Sequence, residues 1–187
     1  MGTTGRAIIE VDAQALLNEL RKAYLHELQV FFSLWTTAIV AEGFHGEELI
    51  EHFKQDALEE LGHAEKLANR MLELGGNPVV HPQDWEAGAG AAWVAPRKDF
   101  SDAEGMVSDQ IKAEAAAINH YNEMAKMTFG KDPVTYQLVT DLLKDEVGHE
   151  EFLENLLGHK RAAPRRRSVS ARVRTAASRG RAAARRK

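Results

Sequence analysis

Apolar residues recur every three to four positions through four long stretches of the chain, the spacing that turns one face of an α-helix towards a core. The first stretch runs from Asp12, a side chain suited to an N-cap, to about Ala41. Gly43 and Gly46 open a short turn into the second, near residues 47–74, which Gly75-Gly76-Asn77-Pro78 ends. The third begins at Ser101, where Ser101 and Glu104 form a capping-box pattern, and stops near Gly130. Asp132 as N-cap and Pro133 at the first helical position start the fourth, and Gly158 ends it.

Short turns pair the first helix with the second and the third with the fourth as antiparallel neighbours. Residues 75–100 are different: they carry Pro78, Pro82 and Pro96 with Trp85 and Trp93, and are long enough to travel the length of a helix of roughly 40 Å. The predicted fold is all-α, a four-helix bundle of two antiparallel hairpins joined by one long crossover. The expected division is an N-terminal extension at 1–9, the bundle at 10–159 and a tail at 160–187.

Each buried stripe is interrupted by an acid. The stripes read Leu20, Tyr24, Glu27, Phe31, Leu34; Phe53, Ala57, Glu60, Ala64, Leu67; Ile111, Glu114, Ile118, Tyr121; and Leu142, Glu146, His149, Leu153. Glu60-Leu-Gly-His63 and Glu146-Val-Gly-His149 repeat one element, and a Glu and a His three residues apart share a helix face. Glu27 and Glu114 precede these elements by 33 and 32 residues, so each half of the chain is a glutamate helix followed by a Glu-x-x-His helix. Four ionised carboxylates in an apolar interior repel one another and lose their hydration. Two divalent cations would balance that charge, giving each metal a histidine and a terminal glutamate with two glutamates left to bridge. Gly62 and Gly148 interrupt helices at about 1 kcal/mol each relative to alanine, which implies tight packing beside the site.

Composition narrows the chemistry. The chain of 187 residues has no cysteine, which excludes disulfides, thiolate metal sites and thiol nucleophiles and leaves oxygen and nitrogen as metal ligands. No run of 18 apolar residues and no leader pattern is present, so a cytoplasmic protein without a membrane partner is expected. The net charge of −4 hides a division: residues 1–159 carry 12 basic and 28 acidic side chains, and residues 160–187 carry 12 basic and no acidic ones. A tail of that composition lacks the apolar surface to offset its ordering entropy, and it is expected to be disordered when free.

The set Glu27, Glu60, His63, Glu114, Glu146 and His149 resembles the carboxylate-bridged di-iron site of the ferritin-like superfamily, over residues 10 to about 158. The symmetric pattern is similar to bacterioferritins and to bacterioferritin-type, Dps-like miniferritins. The resemblance implies that all six residues serve as metal ligands and as the catalytic set of a ferroxidase. Two Fe(II) ions would be oxidised by dioxygen or hydrogen peroxide, with the Glu-x-x-His glutamates as bridges, and the iron stored or detoxified. Manganese suits the same ligands. Leu61 stands where bacterioferritins place a haem-ligating methionine, which argues against haem. Without a fifth helix after Gly158, a homo-oligomer of Dps type, a 12-mer, is favoured over a 24-mer.

Tyr24 and Tyr121 fall near the glutamates and read first as core tyrosines with a nearby acceptor, second as electron donors. His52 and Asp56 read either as a solvated face or as an accessory iron site, and Trp85 and Trp93 as packing anchors. The tail resembles basic extensions of nucleoid-associated proteins, which implies non-specific, salt-sensitive DNA binding. Its competing role is to fold back on the acidic body or to reach a protein partner. The alternative for the whole chain is a di-iron or di-manganese oxidoreductase, manganese catalase-like or an oxidase, that stores no iron.

Overall fold

The computed structural model describes residues 2–43 and 46–158, and the basic segment 160–187 lies outside them. Among the described residues all regular structure is helical: α1 (Thr3–Ala7), α2 (Ala13–Val40), α3 (Gly46–Glu73), α4 (Trp85–Gly88), α5 (Ala103–Thr128) and α6 (Pro133–Leu156), with a 3-10 turn at Pro82–Asp84 before α4. Among the described residues no helix is long and apolar enough to cross a membrane. Helices α2, α3, α5 and α6 form the predicted bundle, and α4 lies in the crossover against α2.

Local chemistry sets the ends. Asp12 accepts from the Ala15 amide at 2.6 Å, and Gly75, at φ +89°, reverses the chain after α3 in the left-handed region that glycine tolerates. The capping-box reading at Ser101 is corrected by one residue: Asp102 is the N-cap of α5 and accepts from Gly105 at 2.9 Å. Ser101 is occupied elsewhere, its amide and hydroxyl both donating to Asp99 Oδ1. Asp102 is held in place by Arg97 at 2.7 Å, a contact from the crossover that helix-propensity rules do not contain.

The crossover is tied at both ends. Arg21 donates to the Asn77 carbonyl at 3.0 Å, and the Glu42 amide to Phe100 at 2.9 Å. At the end of the bundle where α3 finishes, Arg70 of α3 reaches across to the α5–α6 turn. Its Nη2 lies 2.8 Å from Asp132 Oδ2 and its Nε 2.7 Å from Thr135 Oγ1, while Asp132 Oδ1 also caps α6 through the amides of Val134 and Thr135. Arg70, Asp132 and Thr135 are all buried.

The apolar core is divided in two. One cluster gathers Leu16, Leu20, Leu67, Met71, Tyr121, Met124, Val139 and Leu142. The other gathers Val30, Leu34, Leu49, Phe53, Met106, Val107 and Leu153. Along every bundle helix the acidic and histidine positions fall between the two. Helix α2 is buried over more of its circumference than one stripe, because the crossover covers its far side; Tyr24 and Phe31 of the expected stripe are only half-buried.

The expectation of tight packing at Gly62 and Gly148 is overturned, since a Cβ built on either would meet nothing within 4 Å. Gly148 is exposed and Gly62 half-buried. Gly62→Ala and Gly148→Ala are therefore expected to stabilise the protein by about 1 kcal/mol each, the helix-propensity gain without a steric penalty. Urea denaturation of the metal-free chain checks this, and a loss of stability in either variant would contradict it.

Candidate metal centre

All six residues singled out by the sequence meet between the two apolar clusters. Glu27, Glu60, His63, Glu114 and Glu146 are buried, and His149 sits at the rim. Their ligand atoms form two overlapping groups, each with all its ligand atoms within 4.8 Å of one another: Glu27, Glu60, His63 and Glu146, and Glu60, Glu114, Glu146 and His149. Glu60 and Glu146 belong to both. The geometry thus separates two shared carboxylates from two terminal ones, a distinction the spacing along the chain leaves open.

The histidines face the carboxylates through one nitrogen. His63 Nδ1 lies 3.1 Å from Glu60 Oε2 and 3.0 Å from Glu146 Oε1. His149 Nδ1 lies 3.3 Å from Glu60 Oε1, 3.4 Å from Glu146 Oε2 and 3.9 Å from Glu114 Oε2. The two imidazole rings stack with their centroids 6.2 Å apart. Several of these close approaches lack hydrogen-bond geometry: Glu60 Oε1, both oxygens of Glu146 and His149 Nδ1 are buried without a hydrogen-bond partner. Buried polar atoms are normally partnered, so an inward-facing set of unpartnered oxygen and nitrogen lone pairs fits a hard or borderline cation.

Charge repulsion moves the protons. Burial and the neighbouring charges of Glu60 and Glu146 push the carboxyls of Glu27 and Glu114 well above the usual range. Burial opposes charge on the histidines too, but contacts with Glu146 and Glu60 outweigh it and raise His63 to about 9 and His149 to about 12. Burial would also raise Glu60, yet His149 and His63 hold it below the ordinary carboxylate range. Tyr121, fully buried, donates a short hydrogen bond to Glu27, so the acceptor expected for a core tyrosine is a member of the cluster itself. Burial and the Glu27 charge raise its phenol well above the ordinary value.

These directions fix a sign. The metal-free fold holds protons on His63, His149, Glu27 and Glu114 that the unfolded chain gives up at lower pH, so the stability these four contribute falls as pH rises, whereas the depressed Glu60 contributes stability that is lost only in acid. For the histidines the contribution is complete below about 6.5 and is lost as pH climbs through the raised values. Divalent metal must displace the same protons, so affinity rises with pH. Titrating the metal-free protein with Zn(II) in weak buffer should release up to one proton from each of the four residues, read with a pH indicator. Release close to zero at pH 7 would contradict this protonation pattern.

Some residues stand apart from the cluster. His52 pairs with Asp56 at 3.0 Å and lies against Phe152 at a ring separation of 4.2 Å; neither joins the six. Trp93 contacts Phe32 at 6.3 Å between ring centroids, an anchor of the crossover on α2. A second buried polar group was not anticipated. His26 Nε2 lies 3.3 Å from the Ala113 carbonyl, Gln110 donates to Ser33 at 3.3 Å, and Ser33 donates to the Val94 carbonyl at 2.6 Å. Burial lowers the His26 pKa, and its ring side opposite the carbonyl has no partner. These positions lie off the predicted stripe, where α2 meets α5, and Val94 of the crossover closes over Ser33.

An all-α bundle of two hairpins, a long crossover and a carboxylate–histidine cluster at mid-height defines the ferritin-like class. The chain belongs to that family: the ferritin-like domain matches residues 15–162. It is 33% identical over 152 residues to the DNA protection during starvation protein of Pyrococcus furiosus, covering 80% of each chain. It is 26% identical over 144 residues to the bacterioferritin of Brucella melitensis, covering 76% of this chain and 82% of that one. Among solved structures it is similar to a dodecameric thioferritin, the bacterioferritin-related protein of Bacteroides fragilis, with TM-score 0.76, 30% identity, and coverage of 80% of this chain and 88% of that one.

Proposed function

We propose that this chain is an iron-binding miniferritin with ferroxidase activity, using Glu27, Glu60, His63, Glu114, Glu146 and His149 to bind two Fe(II) ions as substrate. The observation that carries the reading is the pair of overlapping ligand groups with Glu60 and Glu146 in common. Each group offers one histidine and three carboxylates, a donor set suited to first-row divalent ions. Two Fe(II) ions held side by side supply two electrons together. These reduce one hydrogen peroxide, with two protons, to two waters, or one dioxygen, with two protons, to hydrogen peroxide. The protein's part is to fix the ions, accept and release protons at the histidines and terminal glutamates, and keep bulk water from the site.

The acidic body, with 28 acidic against 12 basic side chains over residues 1–159, favours accumulation of Fe(II) by its negative potential. Similarity to a dodecameric relative supports a homo-oligomeric shell, a 12-mer over a 24-mer. The 12 basic residues of 160–187 support non-specific DNA binding, in line with the name of the Pyrococcus furiosus relative. Anaerobic Fe(II) titration followed by oxygen or peroxide tests the centre, with the mass of the particle measured alongside. Saturation near two irons per chain before mineral forms is expected, and no saturable binding would remove the reading. A gel shift of the full chain against one ending at Gly158, at 50 and 200 mM salt, tests the tail: equal binding by both would exclude it.

A further inference from the structure

One end of the bundle carries an apolar opening away from the metal centre. It lies where α3 and α5 begin and α6 finishes, a cavity of about 170 Å³ walled by Leu49, Val107, Phe152, Leu156 and Leu157, with Glu104 beside them. Phe152 and Leu156 are 45% and 42% exposed, so the opening presents apolar surface to solvent. The same helix ends carry acids without a cation. Among the described residues Glu47, Glu51, Glu104, Glu150 and Glu154 have no basic partner, and Arg97 is already taken by Asp102 and Asp109. Burial and the charge of Glu154 raise the Glu150 carboxyl above its ordinary value, as expected where negative charge goes unbalanced.

We propose that this opening is the docking site of the chain's own basic segment, with Val169 or Val173 in the cavity and the flanking arginines against the acids of the helix ends. The proposal rests on the reading of that segment as DNA-binding, and adds the surface that competes with DNA for it. Three facts select this occupant. The described chain leaves the bundle at Gly158, next to Leu156 and Leu157, which wall the cavity. Residues 160–187 carry 12 basic and no acidic side chains, the charge that the helix ends lack. Val169 and Val173 are the segment's only branched aliphatic side chains, and arginines surround them: Arg165, Arg166 and Arg167 precede the first, and Arg172 and Arg174 flank the second. Val169 lies 11 residues beyond Gly158, up to about 35 Å of extended chain, so the segment can turn back to the cavity.

A docked segment cannot present the same arginines to phosphate. The tether keeps its local concentration high, so DNA must compete with the body for each segment. The apparent DNA affinity is then the intrinsic affinity reduced by the fraction of segments that are free. Salt weakens both contacts, because both use the arginines. Only docking uses the valines.

The test uses the full chain at low salt. Brief trypsin digestion read by mass spectrometry reports docking without DNA, each rate being taken relative to a free peptide of the same 159–187 sequence. A gel shift with duplex DNA reports the competition. Val169→Ser combined with Val173→Ser keeps every charge and lies outside the bundle. The wild-type segment should be cleaved roughly 3- to 10-fold more slowly than its peptide, the valine variant at its peptide's rate, and the variant should bind DNA more tightly by the same factor. Leu156→Ser, at an exposed wall of the cavity, should reproduce both changes with the particle mass unaltered. Glu104→Gln combined with Glu154→Gln should release the segment too, whereas Glu65→Gln with Asp141→Asn, at exposed acids elsewhere on α3 and α6, should leave cleavage at the wild-type rate. A wild-type segment cleaved as fast as its peptide, or weaker DNA binding by the valine variant, overturns the docking. Leu156→Ser that breaks the particle with cleavage unchanged places a second copy of the chain in the cavity and overturns it as well. Wild type that protects its segment but binds no DNA supports the docking and removes the DNA reading instead.

Discussion

Glu60→Ala and Glu146→Ala are each expected to abolish both metal positions, whereas Glu27→Ala and Glu114→Ala should remove one apiece. The asymmetry follows from the shared oxygens, because Glu60 and Glu146 belong to both ligand groups and the terminal glutamates to one each. Loss of a hydrogen-bond partner behind a ligand typically weakens binding by roughly 10- to 100-fold, so loss of a shared ligand should exceed about 100-fold at both positions. Anaerobic Co(II) or Fe(II) titration reads this as stoichiometry: near zero for the shared pair, near one for the terminal pair. Two ions per chain retained by Glu60→Ala would mean that the carboxylates are not ligands. Equal effects from Glu27 and Glu60 would instead mean that the bridging assignment is wrong.

The second large effect lies away from the centre. Arg70→Met should destabilise the fold by about 3–5 kcal/mol, because it leaves Asp132 buried beside Thr135 without its cation. For a chain of this size that corresponds to a fall of roughly 10 °C in Tm. Asp132→Ala should fall at least as far, since Asp132 also caps α6. Adding Asp132→Ser to Arg70→Met removes the stranded charge while keeping a capping oxygen, and the double variant should be more stable than Arg70→Met alone. Thermal unfolding of the metal-free proteins measures all three, and a loss under about 1 kcal/mol in Arg70→Met would show that the pair contributes little.

Periodicity exposes what a single helix does. It placed Glu27, Glu60, Glu114 and Glu146 on inward faces, and the Glu-x-x-His spacing added His63 and His149 without any knowledge of how the helices pack. Contacts between helices leave a weaker trace. Nothing near Arg70 in the chain points to Asp132, 62 residues away, and His26, Ser33 and Gln110 are buried by contact of α2 with α5 and with Val94 of the crossover, which the period of a single helix does not reveal. Asp102 displaced Ser101 as a cap because Arg97, five residues earlier, holds it, a contact that capping patterns do not contain. Glu59 and Asp145, which the four-residue reading left out, approach His149 and His63 of the opposite half at 3.1 and 3.6 Å. Sequence spacing does not reveal such an exchange, because it fixes a face and not the neighbour that the face meets. Gly62 and Gly148 drew a packing explanation, and the open space beside them removes it.

The division of the apolar core has a consequence for how such a frame can change. The residues that hold the bundle together lie at its two ends, in separate oily plugs, with the Arg70–Asp132 lock at one of them. The six residues of the proposed metal centre lie in the slab between. A substitution in the slab should alter metal binding while both plugs remain intact, and repacking a plug should leave the clustered side chains in place. Holding and reacting are thus separable inheritances within one short chain, so new chemistry can be tried at mid-height without first rebuilding the fold.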